Sequence, residues 1–294
     1  MTKRLVLVLL WLAQPAWAWD QYHTLAPGDD GALRGCGIRW PTNQIPLALD
    51  DGTLDGLETV DVPAIAAASG QAWEGVQCAL CQVCRNGQQV PESCATHALG
   101  LSLQWQPRGK PSAIGATCVA SQPDGSCNAV DGNGNWVNFV HDQQTWESQG
   151  VGSLVVALTV LTYDRNSGEI RDADVLLDDW SHDFCVAPAC GAAAYDLQST
   201  LTHEFGHVFG LDHSANVDAT MFAGAGPGES NKRSLENDDI TGLCTAYSAT
   251  CNGCAEAPSG GCQTRGAVVA GQWLALLTLL LLLSVWATIR RARN

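Results

Sequence analysis

Positive charge is scarce in this chain. Fifteen Lys and Arg stand against 30 Asp and Glu, a formal net charge of −15. Five of the basic residues, Lys3, Arg4, Arg290, Arg291 and Arg293, sit at the two ends, so the middle is more acidic still. Such a surface is repelled by phosphate backbones, which excludes a basic nucleic-acid binder. No internal repeat appears, and the composition excludes a collagen and a low-complexity linker. Methionine is nearly missing: Met1 and Met221 are the only two, so the place of Met221 is informative. What the chain does have is 294 residues with a 46% apolar fraction. That is room for one large domain or two ordinary ones, with a sizeable core, and it argues against a disordered chain.

The two ends read as addresses. Lys3-Arg4 precedes the apolar run 5–13, then Gln14-Pro15 and Ala16-Trp17-Ala18. This is a charged region, a short apolar region and a small-x-small cleavage site, so residues 1–18 are expected to be a signal peptide cut after Ala18. At the other end, 267–289 is an uncharged stretch long enough to cross a bilayer. Arg290, Arg291 and Arg293 follow, which predicts a cytoplasmic chain end and an exported bulk. Upstream lies Ser259-Gly260-Gly261-Cys262. Together these features resemble the C-terminal sorting signals of Gram-negative bacteria, the myxobacterial type in particular. That resemblance implies an anchor removed near Cys262; a permanent single-pass anchor is the other reading.

Thirteen cysteines in an exported chain predict disulfides. With Cys262 assigned to the sorting motif, twelve remain, and short loops suggest Cys185 with Cys190 and Cys118 with Cys127. Cys78-x-x-Cys81-x-x-Cys84 and Cys251-x-x-Cys254 could be read as zinc or redox motifs, but export favours disulfides.

Between the ends the pattern predicts α+β architecture. Strands are expected at 38–40 and 45–49, with Pro41 and Pro46 marking an edge or bulge. An amphipathic helix is expected over 58–76. Residues 78–98 read as an irregular Cys-rich insert, 99–105 as a short strand, 107–135 as loop and 136–140 as a strand. Residues 154–163 and 170–177 should pair as a hairpin. Helices are expected over 195–209, capped near Asp196 or Ser199, and over 235–247, with carboxylates in the first turn.

The chemistry is concentrated in residues 203–213, His-Glu-Phe-Gly-His-Val-Phe-Gly-Leu-Asp-His. His203 and His207 are four apart, so on a helix their rings share a face and can bind one cation. Glu204 can reach a water there without being a ligand. Gly210 can take positive φ, ending the helix and turning the chain back so that His213 arrives as third ligand. Three imidazoles leave one position of a tetrahedral Zn²⁺ open for water, the mark of a catalytic site.

This stretch resembles the metzincin zinc endopeptidases, and Gly210 to Ser214 resembles their matrixin (peptidase M10, matrix-metalloprotease-like) branch. Met221, eight residues past His213, fits the family's Met-containing turn, which supports the ligands by packing. Asp238-Asp239-Ile240-x-Gly242-Leu243 and Tyr247 resemble its last helix, Ile38 to Trp40 its first strand, Ala72-Trp73 its first helix, and 170–180 the strand before the active-site helix. The resemblance covers roughly 36–247 and implies a zincin-like catalytic domain: a twisted, mixed five-stranded sheet with an active-site helix and a C-terminal helix, here followed by a transmembrane helix. It implies substrate binding along an edge strand at 154–161, and a pocket wall from Phe222 to Leu235.

Three departures stand out. The insert at 78–98 is atypical. With the expected cleavage after Ala18, no prodomain is expected before Cys36; Arg34-Gly35-Cys36-Gly37 loosely echoes the family's inhibitory Cys, leaving Cys36 as a thiolate ligand or a disulfide partner. The family's His-rich structural-zinc segment is not evident; His141-Asp142 and His182-Asp183 are its remnants or plain surface histidines. Asp178, Asp179 and Asp183 could hold Ca²⁺ or form a solvated loop.

The expected protein is therefore an exported, monomeric zinc metalloendopeptidase acting on proteins or peptides. Zn²⁺ would be held by His203, His207 and His213, with Glu204 as general base, Gly210 at the turn and Met221 beneath. The expected layout is signal peptide 1–18, catalytic domain 19–250 with insert 78–98, Cys/Gly linker 251–266, and transmembrane helix with Arg-rich end 267–294, which tethers the protein to the membrane at least transiently. The alternative is a surface-anchored, zinc-containing binding module without general proteolytic activity.

Overall fold

The computed structural model describes residues 23–25, 34–85, 88–111, 118–121, 127–129, 134–164 and 168–247. The expected signal peptide, linker, sorting motif and apolar C-terminal segment lie outside the described residues. Among the described residues no helix is long and apolar enough to cross a membrane.

The fold is α+β around one five-stranded mixed sheet. Its strands are β1 (Gln44–Leu49), β2 (Ser102–Trp105), β3 (Trp136–Val140), β4 (Ala157–Tyr163) and β5 (Ile170–Asp178). The order is β4-β5-β3-β1-β2, with β4 antiparallel to β5 and the other neighbours parallel. Among the described residues four α-helices accompany it: α1 (Val62–Glu74), α2 (Gln143–Glu147), α3 (Leu197–Val208) and α4 (Asn237–Tyr247).

Strand β5 explains the layering. Ala173, Val175 and Leu177 face the main core, and Leu176 faces the opposite side, as a period of two requires. On the main side α1 and α3 pack on each other and on the sheet. Trp73 of α1 donates its indole N–H to Thr202 O (2.8 Å), and Trp105 of β2 meets Phe205 of α3 at 6.1 Å between rings. On the other side the short α2 lays Trp146 over Leu176 and Val140. Its Asp142 cap accepts the Thr145 N–H at 2.9 Å. The sequence reading contained no such helix.

Several expectations are corrected. Residues 38–40 make only an isolated bridge, Arg39 to Glu169, because Trp40 is drawn toward α3 by its indole bond to Val208 O (2.7 Å). Pro46 lies in an interior strand, not an edge. It is tolerated because β3 pairs with β1 only at Ala48 and Leu49, and the Asn135 side chain donates to Pro46 O (2.6 Å) where a strand would otherwise lie. Helix α1 starts later than expected, at an Asp61 cap that accepts the Ala64 N–H.

The insert is not irregular. Gln77–Arg85 pairs antiparallel with Gln88–Ala98, Val83 opposite Val90. The Asn86-Gly87 dipeptide between the two strands is a tight-hairpin signal that composition alone obscured. Within the stretch expected as loop, Cys118–Ser121 pairs with Cys127–Ala129; the side chains of Cys118 and Cys127 lie outside the described residues. So does that of Cys36, although its backbone forms a strand, Arg34–Gly37, against His23–Leu25.

Two disulfides are described. Cys185–Cys190 is the expected short loop. Cys78–Cys244 was not anticipated; it joins the hairpin to α4 across 166 residues of sequence, so Cys78 is no metal ligand. Both bonds fit export to an oxidising compartment.

Candidate metal centre and active site

Helix α3 carries the site, and its sequence explains why it is rigid. Leu197, Leu201, Phe205 and Val208 recur at helical spacing and are fully buried. The N-terminus is capped by Asp196, whose Oδ1 accepts the Ser199 N–H at 2.9 Å. Arg233 bonds the same carboxylate through Nε (2.8 Å) and Nη2 (2.5 Å), a two-point grip that ties the helix start to the segment after Met221. Burial would raise the Asp196 carboxyl, but Arg233 and the N–H groups of Ala187 and Ser199 outweigh it and hold it below the usual carboxylate range.

The helix ends as the spacing predicts. Gly210 adopts φ +87°, its N–H bonds His207 O (2.8 Å) and the Leu211 N–H bonds Gly206 O (3.0 Å). This pair of bonds is a Schellman motif. An alanine Cβ at Gly210 would lie 2.3 Å from Ile38 O, so glycine is required twice over. The turn has a second consequence. It carries Leu211 O to His207 Nδ1, 2.7 Å away.

A second carbonyl fixes the other helix histidine. His203 Nδ1 bonds Thr220 O at 2.7 Å. Thr220 is held in turn by Asp239 of α4, which accepts N–H groups from Thr220 (2.8 Å), Met221 (2.9 Å) and Glu236 (2.9 Å). A carbonyl can only accept, so both Nδ1 atoms carry the proton and both Nε2 atoms present lone pairs. His213 closes the group. Its Nε2 is 3.3 Å from His207 Nε2, and the three ring centroids are 4.8 to 5.3 Å apart. Ligand-type atoms of all three rings lie within 4.8 Å of one another.

Electrostatics agree with a cation site. Burial is the main force holding all three imidazoles neutral: His207 is pushed down to about 3, His203 lies well below its ordinary value, and His213 is lowered too. Convergent neutral imidazoles with fixed second nitrogens fit Zn²⁺.

Glu204 lies beside the group and is buried. Burial pushes its carboxyl up to about 7, opposed by Thr159 and Lys232. Thr159, on strand β4, donates its hydroxyl to Glu204 Oε2 at 2.7 Å. Met221 is buried beneath α3, its sulfur where a Cβ on Gly206 would fall. It packs against the Gly206 face of α3. A cavity of about 480 Å³ opens over the site. One wall is 155–159 along β4; the other includes 223–226, Glu229 and Lys232. Lys232 donates from Nζ to Phe222 O, and burial lowers its ammonium to about 8.

All six residues singled out in the sequence thus come together. Thr159, Lys232, Arg233 and the two carbonyl partners were missed, because none has a signal at short range. Asp239 was noted for its place in the first turn of α4 and in the pattern resembling the family's last helix, not as a partner of Thr220. Asp178, Asp179 and Asp183, read as a Ca²⁺ group or a solvated loop, do not converge on one point among the described residues. Asp178 is fully buried and occupied by the N–H groups of Trp180 and Ser181, the Ser181 hydroxyl and His182 Nδ1. Asp179 instead accepts from His141 Nδ1 at 2.9 Å.

Such a three-histidine centre with an adjacent carboxylate, open to a cleft beside an edge strand, can hold a metal ion and set a bound water beside a general base. Residues 116–248 match the family model Matrixin, peptidase M10. Over that stretch the chain is similar to the matrixin metalloendoproteinases. It is similar to Metalloendoproteinase 4-MMP of Arabidopsis thaliana (38% identical over 73 residues, 25% of this chain and 20% of that protein). It is also similar to Metalloendoproteinase 5-MMP of the same plant (43% over 58 residues, 20% and 16%) and to Metalloendoproteinase 1 of Glycine max (40% over 55 residues, 19% and 18%). The chain spans about a fifth or less of the length of these curated relatives.

Proposed function

We propose that the protein is an exported, zinc-dependent endopeptidase with a zincin-like catalytic domain, hydrolysing internal peptide bonds of proteins. The observation that carries this reading is the pair of buried Nδ1–carbonyl bonds, which aim the Nε2 atoms of His203 and His207 toward His213 beside Glu204.

His203, His207 and His213 are the metal ligands in this reading. Zn²⁺ bound there would supply a Lewis acid that polarises the scissile carbonyl and acidifies a water. Glu204 takes the proton of the attacking water on a carboxylate oxygen and later delivers it to the nitrogen of the departing amine. Thr159 holds Oε2 of that carboxylate, so the other oxygen is the one free to face the water. Strand β4 is an edge of the five-stranded sheet, and its backbone pairs with substrate in extended form. The side chain beyond the scissile bond enters the cavity between β4 and the Phe222 to Leu235 segment. Met221 supports the ligands by packing, and Gly210 makes the turn that brings in His213.

The finer layout belongs to the same proposal. Residues 1–18 direct export, 19–250 form the catalytic unit with the hairpin insert, and 251–266 link it to the apolar segment 267–294, which tethers it to the cell surface until or unless it is cut near Cys262. The molecule acts as a monomer.

Glu204→Ala tests the assignment. Casein and gelatin cleavage should be lost while zinc content stays unchanged. Retained proteolysis would remove Glu204 from its role, and intact zinc binding without any wild-type turnover would favour the binding-module alternative.

A further inference from the structure

The cavity over the candidate active site holds a cation with no part in the peptide-bond chemistry. Lys232 lines it, with residues of β4, α3 and the segment past Met221. The residue is 5% exposed, so its side chain lies inside the wall and not on the rim. Lysine is almost never buried this far without a partner of opposite charge. An ammonium has three N–H donors. Here Nζ donates to one backbone carbonyl, Phe222 O, and lies 5.9 Å from the centre of the Phe222 ring. Among the described residues no carboxylate lies within ion-pair distance of it.

Three carboxylates act on it from a distance, Glu204, Asp239 and Glu229, and each is held elsewhere. Asp239 accepts three backbone N–H groups, and Glu204 accepts the Thr159 hydroxyl. Glu229 is exposed and accepts the Gly226 N–H at 2.8 Å. The adjoining wall, Ala223-Gly224-Ala225-Gly226, carries no side chain longer than a methyl and so does not fill the cavity. The ammonium is also close to the chemistry, since its charge acts on Glu204 and on all three imidazoles. A buried charge of this kind is poorly satisfied. A carboxylate carried in by a ligand would pair with it where attraction counts for more than in water.

We propose that Lys232 makes this cavity selective for an acidic side chain, glutamate or aspartate, on the substrate residue that follows the scissile bond. The proposal rests on the peptidase reading, in which that side chain enters the cavity. Phe222 O keeps one proton of the ammonium and holds the lysine in place, while the other two donors face the entering carboxylate. A basic side chain is rejected by like charge, and an apolar one leaves the ammonium unpaired. The rest of the chain, at a net charge of −15, repels acidic segments, so the selection is made at this wall and not by the general field.

The test uses the full zinc-loaded chain and fluorogenic peptides that differ only in that residue: Glu, Gln, Leu or Lys. In the wild type kcat/KM for the Glu peptide should exceed that for the Gln peptide roughly tenfold or more, and should exceed the other two as well. Lys232→Met keeps the apolar stem and should lose the preference; Lys232→Arg should keep it. A variant that slows all four peptides alike would reduce Lys232 to a clamp on Phe222 O and overturn the proposal. So would a wild type that cleaves the Gln or Leu peptide as well as the Glu peptide, whatever the variants do. A second readout needs no turnover: anisotropy of labelled product-side peptides that begin with Glu or Gln. Tighter binding of the Glu peptide, lost in Lys232→Met, supports the cavity assignment even if the peptidase reading fails. Equal binding of both, with cleavage intact, overturns the cavity assignment and leaves the peptidase reading standing.

Discussion

Replacing Gly210 by alanine should damage both the fold and the metal centre, and the size of the effect can be worked out. At φ +87° an L side chain is strained, a penalty of about 1–2 kcal/mol for a left-handed residue. The added Cβ would lie 2.3 Å from Ile38 O and 3.1 Å from Ile38 C, both backbone atoms. That backbone has little room to yield, because the next residue is bridged on both sides: the Arg39 N–H bonds Gly168 O (3.0 Å) and the Ile170 N–H bonds Arg39 O (2.9 Å). Overpacking of this kind costs about 1–3 kcal/mol. Together the loss should be roughly 2–5 kcal/mol, a large share of an ordinary domain stability of about 5–15 kcal/mol. The same turn delivers Leu211 O to His207 Nδ1 and leads the chain to His213, so zinc affinity should fall too. Urea unfolding of the metal-stripped protein separates the first effect from loss of bound metal, and zinc titration reads the second. A Gly210→Ala protein within about 0.5 kcal/mol of wild type, with zinc affinity intact, would refute the argument that this turn requires glycine.

Other outcomes follow from the same contacts. Asp239→Ala removes the acceptor of three N–H groups that position the Thr220 carbonyl on His203; zinc affinity measured by chelator competition should fall roughly tenfold or more, as for other supporting groups behind metal ligands. Replacing Cys78 and Cys244 together by alanine opens a 166-residue span, and the chain-entropy relation puts the loss at up to about 5 kcal/mol, measurable by denaturant unfolding. Asp196 has a folded-state pKa below its free value, so the stability it contributes is present above the free carboxylate range near 4 and fades as pH falls through the folded value. Acid unfolding followed by circular dichroism should therefore begin at higher pH in Arg233→Ala, in which the main group holding that carboxyl down is gone.

Much of the active-site segment was legible because it is local. A histidine pair at four residues shares a helix face whatever surrounds it, and glycine three residues past the second one marks a helix end. The β4–β5 hairpin and strand β3 were legible for the same reason, since alternation and β-branched runs act over a few residues. Local reading misled where a distant partner intervened. Pro46 marks an edge only if a strand lies beside it, and here the Asn135 side chain takes that place. Residues 38–40 have strand-like composition, yet Trp40 is drawn away by a carbonyl 168 residues later. The Cys-rich insert read as irregular because its cysteines recur every third residue, which hides the pairing that its turn dipeptide announces.

Ligand identity and ligand order were thus written in eleven consecutive residues, where backbone geometry alone brings side chains to one face. Tautomer, burial and base strength were not, since they depend on atoms far away in the chain: Thr220 O on His203, the Thr159 hydroxyl on Glu204, Arg233 on Asp196. The cation in the cavity wall is of the same kind. Nothing in the sequence around Lys232 sets it apart from a solvated lysine. It is buried because the segment past Met221 folds against α3, where Arg233 grips Asp196, a juxtaposition that exists only once the chain has closed in space.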